Sequence, residues 1–462
     1  MSHATVESRP VLSPTGQGLR REFGLLEACG ANILNMVGIG PFITIPLALA
    51  AMGGPQVVLA WFLGAGLAVC DGLVWAELGA AMPRSGGPYI YLLEAFGRRG
   101  LGRLASFLFL WQCVVVSPLS IASGAVGLGE YAKFLAPHLT PADIKGVAAG
   151  SCLLSMVILY RDIRSIGRIS LAMLVIVLGT MFVIVFGGVT HFHISRVFDV
   201  PPGAWHLSAA FFSGLGSATL IAAYDYGGYY NICLVGGEVR RPERVIPLSI
   251  LLAIGIVGIL YLLMTISVIS VVPWRLAMHS TAIVSVFTQT LYGSNAATVM
   301  TWLVMFAAFA SVFAVMLGCS RVTYAAAVDG HFFRMFARLH PTKNIPCVSL
   351  ITLGLTSAIA CLIDLQSLIT ALMVIQTMIQ FLTQCIAVMC IRARRKEIKL
   401  PFQMPWYPLP ALLALCGWIY IVATSGLRYV LAAQSLLLLG AAAYLWRARN
   451  ASEWPFSSHE DI

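Results

Sequence analysis

The stretch AAYDYGGYY, residues 222–230, places Asp225 and the adjacent glycines Gly227 and Gly228 inside a long apolar run of the chain. Each glycine weakens a helix by about 1 kcal/mol relative to alanine, and an aspartate side chain competes with the helix for backbone hydrogen bonds. A carboxylate inside an apolar run is also costly to bury in a membrane, and it usually serves a function there. The helix predicted for this run therefore breaks where its charge lies.

A second interrupted run contains NMVGIGPF, residues 35–42. Gly38 and Gly40 have no side chains, and Pro41 supplies no amide hydrogen and clashes with the preceding helical turn. We expect this helix to stop and restart here. Most of the 42 glycines in the chain are better explained by close packing of membrane helices. The two stretches differ from them because one includes a proline and the other a carboxylate.

The composition places both breaks in a membrane protein. Of the 462 residues, 59% are hydrophobic and 10% are charged. Apolar runs of about 20 residues recur, and each is long enough to cross a hydrocarbon core of about 30 Å as a helix. Lipid offers backbone groups no hydrogen-bond partner, and the runs are too long for the strands of an outer-membrane barrel. The predicted fold class is an all-α polytopic membrane protein.

Twelve transmembrane helices are predicted between two short tails. Residues 1–21 are expected to form a disordered cytoplasmic tail without a cleavable signal peptide, and residues 447–462 a cytoplasmic C-terminal tail. The predicted spans lie at 22–51, 55–82, 104–133, 142–160, 168–190, 207–236, 247–272, 297–328, 347–363, 367–391, 408–426 and 428–446.

The basic residues orient these spans. If the N-terminus is cytoplasmic, the 29 lysine and arginine residues fall on the cytoplasmic side, with Lys133, Lys145, Arg196, Arg275 and Arg428 as the exceptions. We therefore expect a multi-pass protein of the cell (inner) membrane with both termini in the cytoplasm. Short basic loops beside anionic lipid explain the net charge of +10, so nucleic acid is not an expected partner.

The two breaks lie at matching positions of two predicted five-span halves. Residues 22–190 and 207–391 each begin with a broken span, and an odd number of spans makes the halves antiparallel. Such an inverted repeat is typical of a secondary transporter, in which half-helix amide ends attract anionic groups and freed carbonyls accept cations. Residues 408–446 add two helices to this predicted transporter domain, which covers 22–446.

Four further stretches carry a family resemblance: AELGAAMPRSGGPYIYLLEAFG (76–97), GGEVRRPERVIPLSI (236–250), SRVTYAAAVDGHFFRMFARLHP (320–341) and LPFQMPWYPLPALLAL (400–415). With the broken spans, they make the sequence resemble the amino acid-polyamine-organocation (APC) superfamily, and within it the amino acid permeases. The resemblance implies a leucine-transporter-like fold of ten core helices plus two, with discontinuous helices 1 and 6, that works by alternating access.

The resemblance also implies a site. In such permeases the glycine turn of the first span, here Gly38, Ile39 and Gly40, presents amide hydrogens to the substrate carboxylate. Carbonyls of the sixth span receive the amino group, and an aromatic residue, here Tyr224, closes over the substrate. The predicted substrate-binding residues are Asn35, Met36, Gly38, Ile39, Gly40, Tyr224, Asp225, Gly227, Gly228 and Tyr229.

The chain departs from the family pattern at three residues. Ile39 stands where a small residue is usual, Pro41 where an apolar residue with an amide is usual, and Asp225 where a small or apolar residue is more common. In addition, no lysine lies between Lys145 and Lys343, so the fifth-span lysine that stands in for sodium in some members is absent.

The intramembrane acids leave several roles open. Asp225 could bind the cationic group of a substrate, carry a coupled proton, or cap a half-helix that begins at Tyr226. Asp71 is a second candidate for ion or proton coupling, although a buried polar contact is favoured for it. Glu77 lies about 240° from Asp71 around a helix and is expected to pair with a loop arginine or an amide.

The leading hypothesis is a secondary active transporter of amino acids, with cationic ones slightly favoured by Asp225 and with proton coupling or exchange as its drive. Its expected partners are a small-molecule substrate, a coupling ion or counter-substrate, and the bilayer. The sequence shows no catalytic constellation, no nucleotide-binding motif and no ligand set around His191 and His193, so we predict no enzyme, cofactor or metal. The alternatives are a polyamine or organic amine transporter and a non-transporting substrate sensor.

Overall fold

The computed structural model describes residues 23–84, 86–98, 100–160, 166–328, 330, 332–340, 345–450 and 455; for 166–174 and 325 it describes the backbone only. The predicted N-terminal tail, residues 1–21, lies outside the described residues. So does most of the predicted C-terminal tail, although its first residues, 447–450, continue the last helix.

The described part of the chain folds into helices. In chain order they are α1 (Leu25–Met36), α2 (Gly40–Met52), α3 (Val58–Ala81), α4 (Pro88–Phe96), α5 (Leu101–Leu135), α6 (Pro141–Leu159), α7 (Ile166–Thr190), α8 (Ile194–Val197), α9 (Ala209–Tyr226), α10 (Asn231–Leu234), α11 (Pro242–Val271), α12 (Trp274–Ala277), α13 (Ile283–Val328), α14 (Cys347–Ala360), α15 (Leu365–Gln376), α16 (Leu382–Arg394), α17 (Leu409–Thr424) and α18 (Leu427–Asn450).

These helices make a multi-pass membrane protein. Among the described residues, 7 helices are long and apolar enough to cross a membrane, or 8 if the pair α1 and α2 counts as one bent span. Three shorter apolar helices, Val175–Thr190, Cys347–Ala360 and Leu409–Thr424, also coincide with predicted spans. The prediction of an all-α polytopic fold is confirmed at this level.

The first predicted break is present between α1 and α2. The two helices meet at an angle of 49°, and Val37, Gly38 and Ile39 lie between them, outside both helices. Pro41 lies in the first turn of α2. A proline is tolerated there because the amide hydrogen that it lacks has no partner within the helix. Proline thus begins the second half of this span instead of ending the first.

The second predicted break follows α9. This helix continues through Asp225 and ends at Tyr226, where the amide of Gly227 donates to the carbonyl of Tyr224 at 3.1 Å. The interpretation of Asp225 as an N-cap is therefore wrong, because the residue lies in the last turn of the first half-helix and not before the second. The chain restarts at Asn231 in the short helix α10.

Two interruptions were not predicted. Within α13, Gly293 has φ of 82° and ψ of 177°, so a separate helical piece precedes the predicted span at 297–328. In the predicted tenth span, Thr377–Phe381 is a π-helical turn between α15 and α16. Turns of this kind inside α-helices frequently occur at functional sites.

The packing of the helices brings the two broken spans together. Helix α2 packs against α9, and α1 packs against α10 and α11. A parallel backbone bridge joins Phe23 to Val239: the Phe23 amide donates to the Glu238 carbonyl at 3.1 Å, and the Arg240 amide donates to the Phe23 carbonyl at 2.9 Å. The start of the first broken span is thereby tied to the end of the second.

Candidate functional site

The two breaks meet backbone to backbone at Gly228. This residue has φ of 111°, in the region that favours glycine, and a Cβ built on it would lie 3.0 Å from the carbonyl carbon of Asn35 and 3.1 Å from the amide nitrogen of Met36. A side chain at position 228 would thus displace the end of α1. The contact joins two predicted site residues, Asn35 and Met36, to the glycine of the opposite break.

A tyrosine on a third helix holds the two breaks in register. The hydroxyl of Tyr261, on α11, donates to the carbonyl of Met36 at 2.7 Å and lies 3.3 Å from the carbonyl of Asp225. Both carbonyls belong to helix ends, where backbone acceptors lack an intrahelical partner. Tyr261 is buried, so its hydroxyl has no access to water and needs these two carbonyls as hydrogen-bond partners.

The Asp225 carboxylate lies between α9 and α2. It is 2% exposed, and its Oδ2 accepts a hydrogen bond of 2.5 Å from the Thr44 hydroxyl. Its Oδ1 has no hydrogen-bond partner among the described residues, and a Cβ on Gly40 would lie 2.3 Å from that atom. Among these residues Asp225 forms no ion pair. One carboxylate oxygen thus remains available to a donor or cation beside Gly40.

Tyr224 also lies beside the first break, where a Cβ on Gly40 would be 3.8 Å from its ring, and it contacts α5. Its hydroxyl is 2.8 Å from the Ser123 hydroxyl, which donates to the Ser120 carbonyl at 2.7 Å, so Tyr224 is the donor in this pair. The ring is half-buried. The predicted closing aromatic is therefore held between α9 and α5 by a single neutral hydrogen bond, which it can exchange at little cost.

The turn at 38–40 is shaped by its neighbours on α5 and α13. A Cβ on Gly38 would lie 3.0 Å from Ser311 Oγ, which places α13 directly against this residue. Ile39 is buried, and it faces Gly124 and Gly127 on α5, where a Cβ would lie 3.6 and 3.3 Å from its side-chain carbons. The two glycines on α5 provide the room that this branched side chain needs in the turn.

Asp71 and Tyr229 form a separate polar cluster. The Tyr229 hydroxyl donates to Asp71 Oδ2 at 2.5 Å, and Trp418 Nε1 and the Cys385 thiol donate to Oδ1 at 3.0 and 3.8 Å. Asp71 is fully buried and forms no ion pair among the described residues. The Tyr229 hydroxyl is thus bound to Asp71, and Asp71 makes the buried polar contact that was favoured for it. A coupling role for Asp71 stays a prediction.

Glu77 occupies a third buried position and pairs as expected. Its two oxygens accept hydrogen bonds of 2.6 and 2.7 Å from Arg392, and the Met404 amide donates to it at 2.7 Å. The Arg392 guanidinium also lies over the Tyr407 ring at 4.0 Å. This bidentate pair connects α3 and α16 to the segment before α17.

Sequence reasoning missed Thr44, Ser123 and Tyr261. Each is a hydroxyl residue in an apolar span, and such residues more often make contacts within their own helix or with a neighbour. For Thr44 alone there was a local signal, because it lies four residues after Gly40 and so on the same helical face. The other two are brought to the breaks by helix packing.

A comparison with known families decides the class. The profile of the family described as "Amino acid permease" matches residues 23–437, nearly all of the chain that the structure describes. The chain belongs to the amino acid permease family. It is therefore a transporter by family and not an enzyme.

Individual relatives of this permease are transporters as well. An uncharacterised transporter of Mycobacterium tuberculosis is 30% identical over 76% of this chain and 76% of its own length. The mouse Asc-type amino acid transporter 1 is 27% identical over 88% of this chain and 77% of its own length. The human cationic amino acid transporter 4 is 25% identical over 76% of this chain and 56% of its own length.

Proposed function

We propose that this permease is a secondary active transporter that moves amino acids by alternating access, driven by a proton gradient or by exchange with a counter-substrate. The observation that carries the proposal is the meeting of two helix breaks at Gly228 and the Asn35–Met36 backbone. Breaks paired in this way expose backbone amides and carbonyls to one buried point. The amides can bind the carboxylate of a zwitterionic amino acid and the carbonyls its ammonium group.

The proposed frame has twelve spans arranged as a leucine-transporter-like 5+5 inverted repeat plus two helices, in the cell (inner) membrane with both termini cytoplasmic. This frame is supported by a described helix within each predicted span, although α4, α8 and α12 lie outside them, and by a break in the first span of each predicted half. Gly38 and Gly40 then present amides to the substrate carboxylate. Carbonyls at the end of α9 receive the amino group, and Tyr224 closes the site.

Asp225 directs the proposal toward substrates with a second positive charge. Its free Oδ1 lies beside Gly40, close to where the amino acid would bind, and it has no cationic partner among the described residues. An unpaired buried carboxylate is expensive, so a cation that pairs with it binds more tightly than a neutral side chain of the same size. If Asp225 instead carries the coupled proton, the same oxygen takes it up when no substrate cation is bound.

The test is uptake of radiolabelled amino acids by liposomes that contain the purified permease. Wild-type protein is expected to accumulate or exchange amino acids. The Asp225→Asn variant is expected to lose the uptake of basic amino acids and to retain that of neutral ones. Asp199→Asn, at an exposed aspartate that pairs with Arg275, is the matched control and should leave both unchanged. Unaltered arginine and lysine uptake in Asp225→Asn would refute the cation role.

A second candidate is a transporter of polyamines or organic amines. The same free oxygen of Asp225 favours it, together with Pro41, which removes one amide from the turn that would bind a carboxylate. Agmatine and putrescine, which carry no carboxylate, separate the two candidates in the liposome assay. Transport of these amines without transport of amino acids would establish the second candidate.

A further inference from the structure

Glutamine recurs every four residues along the predicted tenth span. Gln376 ends α15, Gln380 lies in the π-helical turn, and Gln384 lies in the first turn of α16. Side chains at this spacing line one face of a helix. Three carboxamides on one face are unusual in a membrane helix, and the opening analysis of the sequence did not single them out.

This glutamine stripe, Gln376, Gln380 and Gln384, runs from the second break to the start of α4. Gln376 Nε2 donates to the Tyr230 hydroxyl at 2.7 Å, in the break itself, and lies 3.4 Å from Gln380 Oε1. At the other end, Gln384 Nε2 donates to the Pro88 carbonyl at 3.5 Å. The stripe therefore continues the polar surface of the break along the helix.

Helix α5 contributes a fourth carboxamide from the facing side. Gln112 Nε2 donates to Gln380 Oε1 at 3.2 Å. Tyr230 lies at the Gln376 end of the stripe. Its ring stacks on Trp75 with centroids 4.6 Å apart and meets Phe381 edge-on at 5.8 Å. The carboxamides thus lie between α5 and the π-helical turn, next to the ring of Tyr230.

The cluster retains more polar atoms than its own hydrogen bonds can use. Gln112 Oε1, Gln380 Nε2, Gln384 Oε1 and the Thr377 hydroxyl have no hydrogen-bond partner among the described residues. The four side chains are 1%, 4%, 0% and 0% exposed. Each unpaired buried group costs about 1–3 kcal/mol, so four in one cluster are poorly explained by helix packing alone.

We propose that the glutamine stripe and Gln112 form a hydrated track, the part of the transport path that leads from Tyr230 toward Pro88. Its ligands are water and the charged head group of a passing amino acid. Carboxamides suit this task because they offer both donors and acceptors without a net charge. A pathway must bind weakly enough to release what it binds. The assignment of the passing solute rests on the proposed function, whereas the hydration of the track does not.

Hydration is tested first, by thiol labelling that needs no transport. Gln380→Cys is treated with the small water-soluble reagent methanethiosulfonate ethylammonium, and each cysteine is followed by peptide mass spectrometry. The buried native Cys385 and Cys152 are internal references. We expect Cys at 380 to react at least about ten-fold faster than either, since an aqueous reagent reaches only hydrated thiols. The proposal would be overturned if the cysteine at 380, and that at 384 in a second variant, Gln384→Cys, both reacted no faster than these two references.

The transport role is tested with Gln380→Met, which keeps the volume and removes the amide. Uptake into liposomes is expected to fall about ten-fold, the effect of one lost hydrogen bond on the barrier. Tm should change little, because the removal of the unpaired Gln380 Nε2 offsets the loss of the acceptor that Gln112 Nε2 uses. Gln434→Met, at an exposed position of α18, is the matched control and should change neither quantity.

The outcomes separate this proposal from the proposed function. A lower Tm with full uptake in Gln380→Met would assign the stripe to packing and overturn the track. If the wild-type protein transports no amino acid or amine, the proposed function is refuted. Fast labelling of the Gln380→Cys variant would in that case still support the hydrated track.

Discussion

Gly40 and Asp225 share one space between the halves of the two broken spans. A Cβ on Gly40 would lie 2.3 Å from Asp225 Oδ1, and the other oxygen of this carboxylate is held by Thr44 at 2.5 Å. The buried carboxylate at 225 is therefore accommodated by a glycine at 40. The sequence analysis predicted that Gly40 donates its amide to the substrate. The structure adds a second reason for a glycine at this position, because a side chain would collide with Asp225.

We predict that Gly40→Ala destabilises the permease by roughly 1–3 kcal/mol, because the buried carboxylate must rotate and lose its bond to Thr44. The measurement is Tm of the purified protein. The double variant Gly40→Ala/Asp225→Ala should recover most of the loss, as expected for two residues in direct contact. Additive losses in the double variant would show that the two residues do not share this space.

Gly228→Ala is predicted to abolish uptake and lower Tm. The alanine Cβ must fit 3.0 Å from the Asn35 carbonyl carbon at a backbone φ of 111°, and backbone strain of this kind costs on the order of 1–3 kcal/mol before the clash is added. Gly66→Ala on α3 is the control, since a Cβ there meets nothing within 4 Å. It should be neutral or slightly stabilising, and equal losses for both variants would contradict the contact between the breaks.

Tyr261→Phe removes one hydroxyl and leaves the Met36 carbonyl unpaired where the two breaks meet. We expect a loss of about 1–3 kcal/mol in unfolding free energy and a fall in uptake per folded molecule, because the relative position of α1 and α9 is no longer fixed. Tyr420→Phe, whose hydroxyl bonds to the Phe212 carbonyl at a partly exposed position, is the control. A normal uptake rate in Tyr261→Phe would show that this bond serves stability alone.

Asp71→Asn places an amide among three donors, Tyr229, Trp418 and Cys385. Its NH₂ group can pair there only if the Tyr229 hydroxyl or the Cys385 thiol becomes the acceptor and gives up its present bond, so Tm should fall, by an amount that corresponds to about 1–3 kcal/mol. Uptake per folded molecule should keep its response to an imposed pH gradient, since we favour a structural role for this carboxylate. Loss of that response with retained exchange would instead assign proton coupling to Asp71.

Local chemistry explains why both breaks were predictable and why Asp225 was misplaced within one of them. Gly38, Pro41 and the glycine pair at 227–228 act on their own helix, so their effect is visible in the sequence. The exact end of α9 is not visible in the sequence. The helix continues through Asp225 to Tyr226, where the Gly227 amide donates to the Tyr224 carbonyl, whereas capping by Asp225 would require it to end before that residue. Asp225 is therefore part of α9, and its side chain contacts Thr44 of α2 instead of capping a helix.

The sequence by itself determined the all-α membrane fold, the family and the positions of the two breaks, because long apolar runs must be helical in lipid and because glycine and proline act locally. Only the tertiary structure decided which groups face the breaks. Thr44, Ser123 and Tyr261, like Gln112 opposite the glutamine stripe, reach their partners through packing between helices that are far apart in the chain. Hydrogen bonds of this kind depend on helix rotation and register, which no single segment specifies.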